Sequence, residues 1–224
     1  MSRLAPLETL YEVERGGDLP LPRELASLDG RLSFLVHSGR PYIIGNFARA
    51  LDGVVLLNEA GQAGGGDISG FDQHDRMVMG LLRTIADVVI VGAGTLRVEP
   101  QHRSTADYIY PPLAQSYQLL RTNLGKSEPP LNVIVTARGE IDLDQPLLRS
   151  GEIPVLIVTT EHGLQQLHEK HLPLSVQASA VQKVGSLGAQ EILAAAHSNR
   201  QSALILVEGG LQLMGDFLAG GSQQ

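Results

Sequence analysis

The sequence predicts an α/β protein: a mostly parallel central sheet with helices on both faces. Two observations carry that expectation. Short apolar runs rich in β-branched residues alternate with stretches of helical period along most of the chain. Twice, moreover, an apolar run ends in glycines and opens a helical pattern. One is 87–91, followed by Gly92-Ala93-Gly94-Thr95; the other is 203–207, followed by Glu208-Gly209-Gly210. A strand ending this way aims unpaired backbone N–H groups and the positive end of a helix dipole at one spot, which suits a phosphate. Either turn alone serves equally as a plain connection, because a sharp strand-to-helix turn itself favours glycine. Two in 224 residues point to a ligand with more than one phosphate, such as a dinucleotide.

The elements follow in order. Residues 1–40 read as an N-terminal extension, interrupted by Gly16-Gly17, Pro20 and Pro22, with a short helix over 23–28. The main domain spans 41–224. Its first strand covers 42–48 and leads to a turn at Leu51-Asp52-Gly53, where Asp-Gly supplies a positive φ. A short extended piece over 54–57 comes next. Residues 58–70 hold five glycines and read as a mobile loop. The helical period over 71–86 puts Met77, Leu81, Leu82 and Ile85 on one face. Beyond the strand at 87–91, the segment 97–130 is irregular apart from a helix near 113–121. Strands are expected at 132–136, 154–159 and 174–178, helices at 161–171 and 189–197, and a closing strand–helix pair at 203–207 and 211–218.

Composition excludes several function classes. The net charge is −7 and no Lys/Arg run exceeds two, which argues against a nucleic-acid partner. No stretch of 18 apolar residues and no signal-peptide pattern occurs, so the expectation is a cytoplasmic protein without a membrane partner. The chain has no cysteine, which removes disulfides, thiolate catalysis and Cys-ligated zinc. None of the seven histidines forms an H-E-x-x-H pair, and His168 and His171 read as solvated side chains, so no metal is expected.

Known nucleotide motifs do not match. Gly92-x-Gly94 begins a G-x-G-x-x-G pattern, but Arg97 stands at the third glycine. No acid follows about 20 residues on, at the ribose position. No G-K-[ST] occurs either, so the phosphate loop of P-loop proteins is absent.

Three segments together resemble the bacterial riboflavin-pathway reductase domain. They are Pro41-Tyr42-Ile43-Ile44-Gly45-Asn46-Phe47-Ala48-Arg49-Ala50-Leu51-Asp52-Gly53, then Leu81-Leu82-Arg83-Thr84-Ile85-Ala86-Asp87-Val88-Val89-Ile90-Val91-Gly92-Ala93-Gly94-Thr95-Leu96-Arg97, and Leu206-Val207-Glu208-Gly209-Gly210 with Phe217-Leu218. The likeness covers about 41–103 and 202–219, in order and spacing. It implies a dihydrofolate-reductase-like fold and a homodimer. The activity it implies is NADPH-dependent reduction of a ribosyl group to ribityl, on a 5-amino-6-(5-phosphoribosylamino)uracil-type or 2,5-diamino-pyrimidinone phosphate. A non-catalytic nucleotide-binding relative, or a reductase of a pterin or other carbonyl substrate, is the alternative.

The same resemblance implies the site residues. Ala48 and Val55 would line the cofactor. Gly92, Gly94, Thr95, Glu99, Gly209, Gly210, Leu211, Met214 and Gly215 would hold it. Arg97 suits either the cofactor 2′-phosphate or a helix cap. Arg83, Arg103 and Glu208 would bind substrate. A guanidinium forks onto two phosphate oxygens, and a carboxylate accepts ring N–H groups. Hydride transfer needs no protein nucleophile, so no catalytic residue is assigned. The chain departs from the family in four places, one of them the glycine-heavy stretch 58–67, where Asp67 stands at a position that is often aromatic. Arg49-Ala50 replaces a serine before Leu-Asp-Gly, the turn before Pro100 is one residue shorter, and strands expected after Phe217-Leu218 do not follow. An open sheet edge is therefore expected beside 203–207, covered by the 1–40 extension or a second copy.

Overall fold

The structure, a computed structural model, describes residues 4–11, 16–29, 32–34, 40–53, 65–181 and 187–221. Six apolar runs become strands: β1 (Tyr42–Gly45), β2 (Val88–Gly92), β3 (Leu131–Thr136), β4 (Val155–Thr160), β5 (Val176–Val181) and β6 (Leu204–Val207). They form one parallel sheet in the order β1-β6-β2-β3-β4-β5. The helices are α1 (Arg23–Ala26), α2 (Gly65–Ser69), α3 (Gln73–Ile85), α4 (Ala93–Val98), α5 (Ala106–Ile109), α6 (Ala114–Asn123), α7 (Pro146–Arg149), α8 (Glu161–Glu169), α9 (Ala189–Asn199) and α10 (Leu211–Gly221).

Side chains alternate across the pleat, and both faces are covered. Val89, Val91, Ile134, Val155, Ile157 and Leu206 face one apolar cluster, with Leu81, Leu96, Leu120 and Leu167 of α3, α4, α6 and α8. Val88, Ile90, Val133, Leu156, Val158, Ile205 and Val207 face the other, with Ile192 of α9 and Leu213 and Met214 of α10. A sheet buried on both sides explains why the strands read as unbroken apolar runs. At its lower rim, Asp87 Oδ2 accepts the N–H groups of Ala203 and Leu204 at 2.9 and 3.0 Å, and Lys126 Nζ lies 2.6 Å from Oδ1. This clamp sets the start of β2 beside the start of β6.

Several expectations need correction. Within 58–70, residues 65–69 form helix α2; 58–64 and the extended piece at 54–57 lie outside the described residues. Glycine hid the helical period there. The chain reverses through positive φ at Gly70 (63°) and Phe71 (56°), with Phe71 N–H donating to Gly66 O at 2.8 Å. The first strand ends at Gly45 instead of residue 48, and β5 begins at Val176 after a turn in which its N–H bonds Pro173 O. The 203–207 strand does not border an open edge: β6 is paired on both sides, by β1 and β2. The outer strands are β1 and β5.

The N-terminal residues lie on the first apolar face. Leu25 and Leu28 are buried in its cluster, and Leu4, Leu7, Leu19 and Leu21 pack against it. Ser116 Oγ donates to Glu24 at 2.5 Å and Asn123 Nδ2 to Pro20 O at 2.9 Å.

Candidate functional site

Because all strands are parallel, their C-terminal ends share one rim. The chain leaves β2 through β3, β4 and β5, then returns to insert β6 between β1 and β2. In open α/β sheets, ligands bind at such a reversal. The two helices that start there diverge. Ala93 and Leu96 take α4 onto the first apolar face, and Leu213 and Met214 take α10 onto the second. The rim from Gly92 to Glu208 lies between them.

Glycine shapes both sides of this rim. A Cβ on Gly210 or Gly215 would meet no atom within 4 Å. One on Gly92 or Gly94 would approach only Gly94 N at 3.9 Å or Arg97 Nη2 at 3.7 Å. These glycines therefore leave bare backbone facing open space. Gly209 and Gly45 have a different purpose. Their Cβ atoms would press against Leu213 Cδ2 and Met214 Cε, each at 2.6 Å, so they let α10 close on the sheet. Met214 is correspondingly buried. The chain order thus yields a cradle whose first-turn N–H groups have no intrahelical partner. It fits a pyrophosphate, which needs close backbone approach.

Between the glycine edges sits a buried ion pair. The Arg83 side chain is 1% exposed and that of Glu208 is 7%. Arg83 Nε donates to Glu208 Oε2 at 2.9 Å and Oε1 at 3.2 Å, while its Nη1 donates to the carbonyls of Arg103 (3.2 Å) and Thr105 (3.3 Å). Asn46 Nδ2 reaches Glu208 Oε1 at 3.5 Å from the end of β1. Glu208 is fixed by its own N–H, which donates to Ile90 O at 2.9 Å.

The sequence-predicted residues fall into groups. Arg83 and Glu208 are brought together, though with each other. Arg103 joins them by its carbonyl only, since its guanidinium pairs with Glu152 at 3.3 Å. Thr95 and Glu99 lie half-buried on and just after α4. Arg97 is exposed, its Nη1 3.5 Å from Glu140 O. Ala48 is half-buried in the segment after β1. Val55 lies outside the described residues, and the side chain of Leu211 is not described, although α10 begins there.

Sequence reasoning missed Asn46, His102 and Ser104. His102 is 6% exposed, and both ring nitrogens are engaged. Nδ1 lies 2.9 Å from Glu99 Oε2 and Nε2 3.1 Å from Ser104 Oγ. That hydrogen bond holds the Glu99 carboxyl below its ordinary value, against the opposing effect of burial. The Glu-x-x-His spacing was the available signal. Among the described residues no cluster of metal-ligating side chains occurs, and no helix is long and apolar enough to cross a membrane.

The comparisons agree with this architecture. The model of the RibD C-terminal domain family matches residues 41–222. The fold resembles a diaminohydroxyphosphoribosylaminopyrimidine deaminase/5-amino-6-(5-phosphoribosylamino)uracil reductase from Thermotoga maritima (TM-score 0.53, 20% identity, 81% of this chain and 42% of that one). It also resembles RibD of Acinetobacter baumannii (0.55, 21%, 82% and 44%) and a pyrimidine reductase-like protein from Corynebacterium diphtheriae (0.58, 22%, 81% and 70%). The chain spans less than half the length of the first two. No curated protein matches it.

Proposed function

Since the chain belongs to the RibD C-terminal domain family, with its dihydrofolate-reductase-like α/β fold, we propose that it is an NADPH-dependent pyrimidine reductase. Its substrate on this reading is a ribosylaminopyrimidine phosphate, reduced to the ribityl product. The observation that carries the reading is the Glu208 carboxylate, buried and oriented by Arg83 between two glycine edges. When bound, the dinucleotide supplies a hydride; water supplies the accompanying proton.

The chain's own residues do the positioning. The backbone at Gly92, Gly94 and Gly210 would face a pyrophosphate, and Thr95 would add a hydroxyl. Arg97, exposed beside Glu140, would meet the 2′-phosphate, the feature that selects NADPH over NADH. Glu208 accepts N–H groups of the pyrimidine ring. Arg83 has spent its Nε and Nη1 on protein acceptors, so it acts through Glu208. Arg103 meets the substrate phosphate instead, because an ion pair as exposed as Arg103–Glu152 is weak and easily exchanged.

Calorimetry with NADPH and NADH, followed by turnover with the ribosylaminopyrimidine phosphate, tests this. Expected are tighter NADPH binding and formation of the ribityl product. Binding without turnover would indicate a nucleotide-binding relative, and no binding at millimolar concentration would refute the reading.

A further inference from the structure

We propose that His102 is a positioning residue that ties the two halves of the candidate site together. It holds the Glu99 carboxylate beside α4 and, through Ser104, the backbone that keeps Arg83 on Glu208. The proposal deepens the reading above and rests on it for its ligand measurements.

The contacts form one continuous line. Glu99 caps α4 with its N–H on Thr95 O at 2.8 Å, and His102 N–H returns to Glu99 O at 2.9 Å, closing a tight turn. Within that turn the ring spans from Glu99 Oε2 to Ser104 Oγ, at 2.9 and 3.1 Å. Ser104 is fully buried and stands between Arg103 and Thr105, whose carbonyls accept from Arg83 Nη1. Arg83 then meets Glu208 at the end of β6. Tyr108 closes the other side of the imidazole, edge-to-face at 6.1 Å.

Donor and acceptor chemistry makes this line robust. A carboxylate only accepts, so Nδ1 carries a proton. Nε2 accepts from the Ser104 hydroxyl in the neutral ring and donates to it in the charged ring, because a hydroxyl does either. Both links therefore persist whichever form the ring takes. A histidine that merely filled space would not need two polar partners on opposite sides of the ring. Here they belong to the dinucleotide side and the substrate side respectively.

Two near-isosteres separate the links. The Asn amide nitrogen falls near the Nδ1 position, so His102→Asn keeps Glu99 and loses Ser104. Gln extends toward Nε2, so His102→Gln keeps Ser104 and loses Glu99. The first measurement uses the ligand-free protein: exchange of the Arg83 Nε–H proton by NMR. Exchange should quicken at least tenfold in His102→Ala and His102→Asn and stay near wild type in His102→Gln. Calorimetry with NADPH should show the reverse order: Kd near wild type for His102→Asn, raised several-fold for His102→Gln and His102→Ala. Unchanged Arg83 exchange in His102→Ala would overturn the proposal. So would equal behaviour of the Asn and Gln variants in both measurements, which marks a space-filling ring. If the wild-type protein binds no NADPH, the proposed activity fails, while the Arg83 exchange still decides whether His102 orders the Glu208 side.

Discussion

Arg83 and Glu208 illustrate what a single residue can and cannot disclose. Each looks functional in isolation: an arginine on an apolar helix, an acid at the end of a buried strand. Their pairing spans 125 positions of sequence, so no local pattern reveals it. The energetics follow from burial. Removing one partner leaves the other charge uncompensated, at a cost of about 3–5 kcal/mol, whereas replacing both by apolar groups is far milder. Arg83→Met is therefore expected to lose that much stability in urea unfolding, and Arg83→Met/Glu208→Met to lose less than the single variant. A double variant as unstable as the sum of the singles would contradict the pairing. Glu99 gives a second expectation at this scale. His102 holds its carboxyl below the ordinary glutamate value, so the folded state binds this proton less readily than the unfolded chain. Its contribution to stability is complete above the ordinary glutamate range and fades as pH falls through the lowered value. Glu99→Gln should flatten that acid limb, measured by denaturant unfolding at a series of pH values. An unchanged limb would remove His102 as its cause.

At the scale of elements, the glycines after β6 divide their work, and this can be tested on adjacent residues. Gly210 faces open space, so Gly210→Val should leave the melting temperature near wild type. It should weaken NADPH at least tenfold, about 1.4 kcal/mol, by filling the cradle. Gly209→Val drives a side chain into Leu213 and should lower the melting temperature itself. Identical effects at the two positions would mean that the open face is not where the dinucleotide lies. The sequence distinguished these elements well where burial was uniform. The strands β2, β3 and β4 are apolar on both faces, and their expected spans differ from the observed ones by one residue, at one end for β3 and at both ends for β2 and β4. Helix α3 was legible from its period, which puts Met77, Leu81, Leu82 and Ile85 on one face, but it starts two residues later than expected, where Asp72 caps it by accepting from the N–H groups of His74 and Asp75. Legibility failed where tertiary partners decide. β1 stops at Gly45, since the segment after it turns to bring Asn46 to Glu208. Helix α2 was lost among glycines. In the site, the glycine cradle was visible as a motif, but the Glu99–His102–Ser104 link was not. That link needs a turn to fold a glutamate, a histidine and a serine onto one ring, and the loop's irregular pattern gives no period to read.

At the scale of the whole molecule, the N-terminal residues matter through what they bury. The segment was expected to cover an edge beside β6, but β6 is an inner strand and the segment lies over α3 and α6 instead. Leu7 N–H donates to Leu28 O at 3.0 Å, which draws residues 4–7 back toward α1. His74 Nε2 lies 3.1 Å from Ala5 O, a tie from the start of α3. Leu25 at 1% exposure and Leu28 at 8% are buried as deeply as residues of the sheet. Full burial of such a side chain is worth about 1.5–3 kcal/mol, so the pair contributes on the order of 3–6 kcal/mol, a large share of a typical domain's net stability. Deleting residues 1–38 removes Leu25 and Leu28 from this cluster and strips cover from the first apolar face. The truncated chain is expected to melt several degrees lower or to aggregate, read by thermal unfolding and light scattering. Replacing only Leu25 by Ala should give a smaller loss of about 2–5 kcal/mol, the range for a buried leucine whose cavity does not collapse. The two variants together separate burial from bulk: a truncated protein that stays soluble with unchanged stability would mean that these leucines rest on the face without holding it.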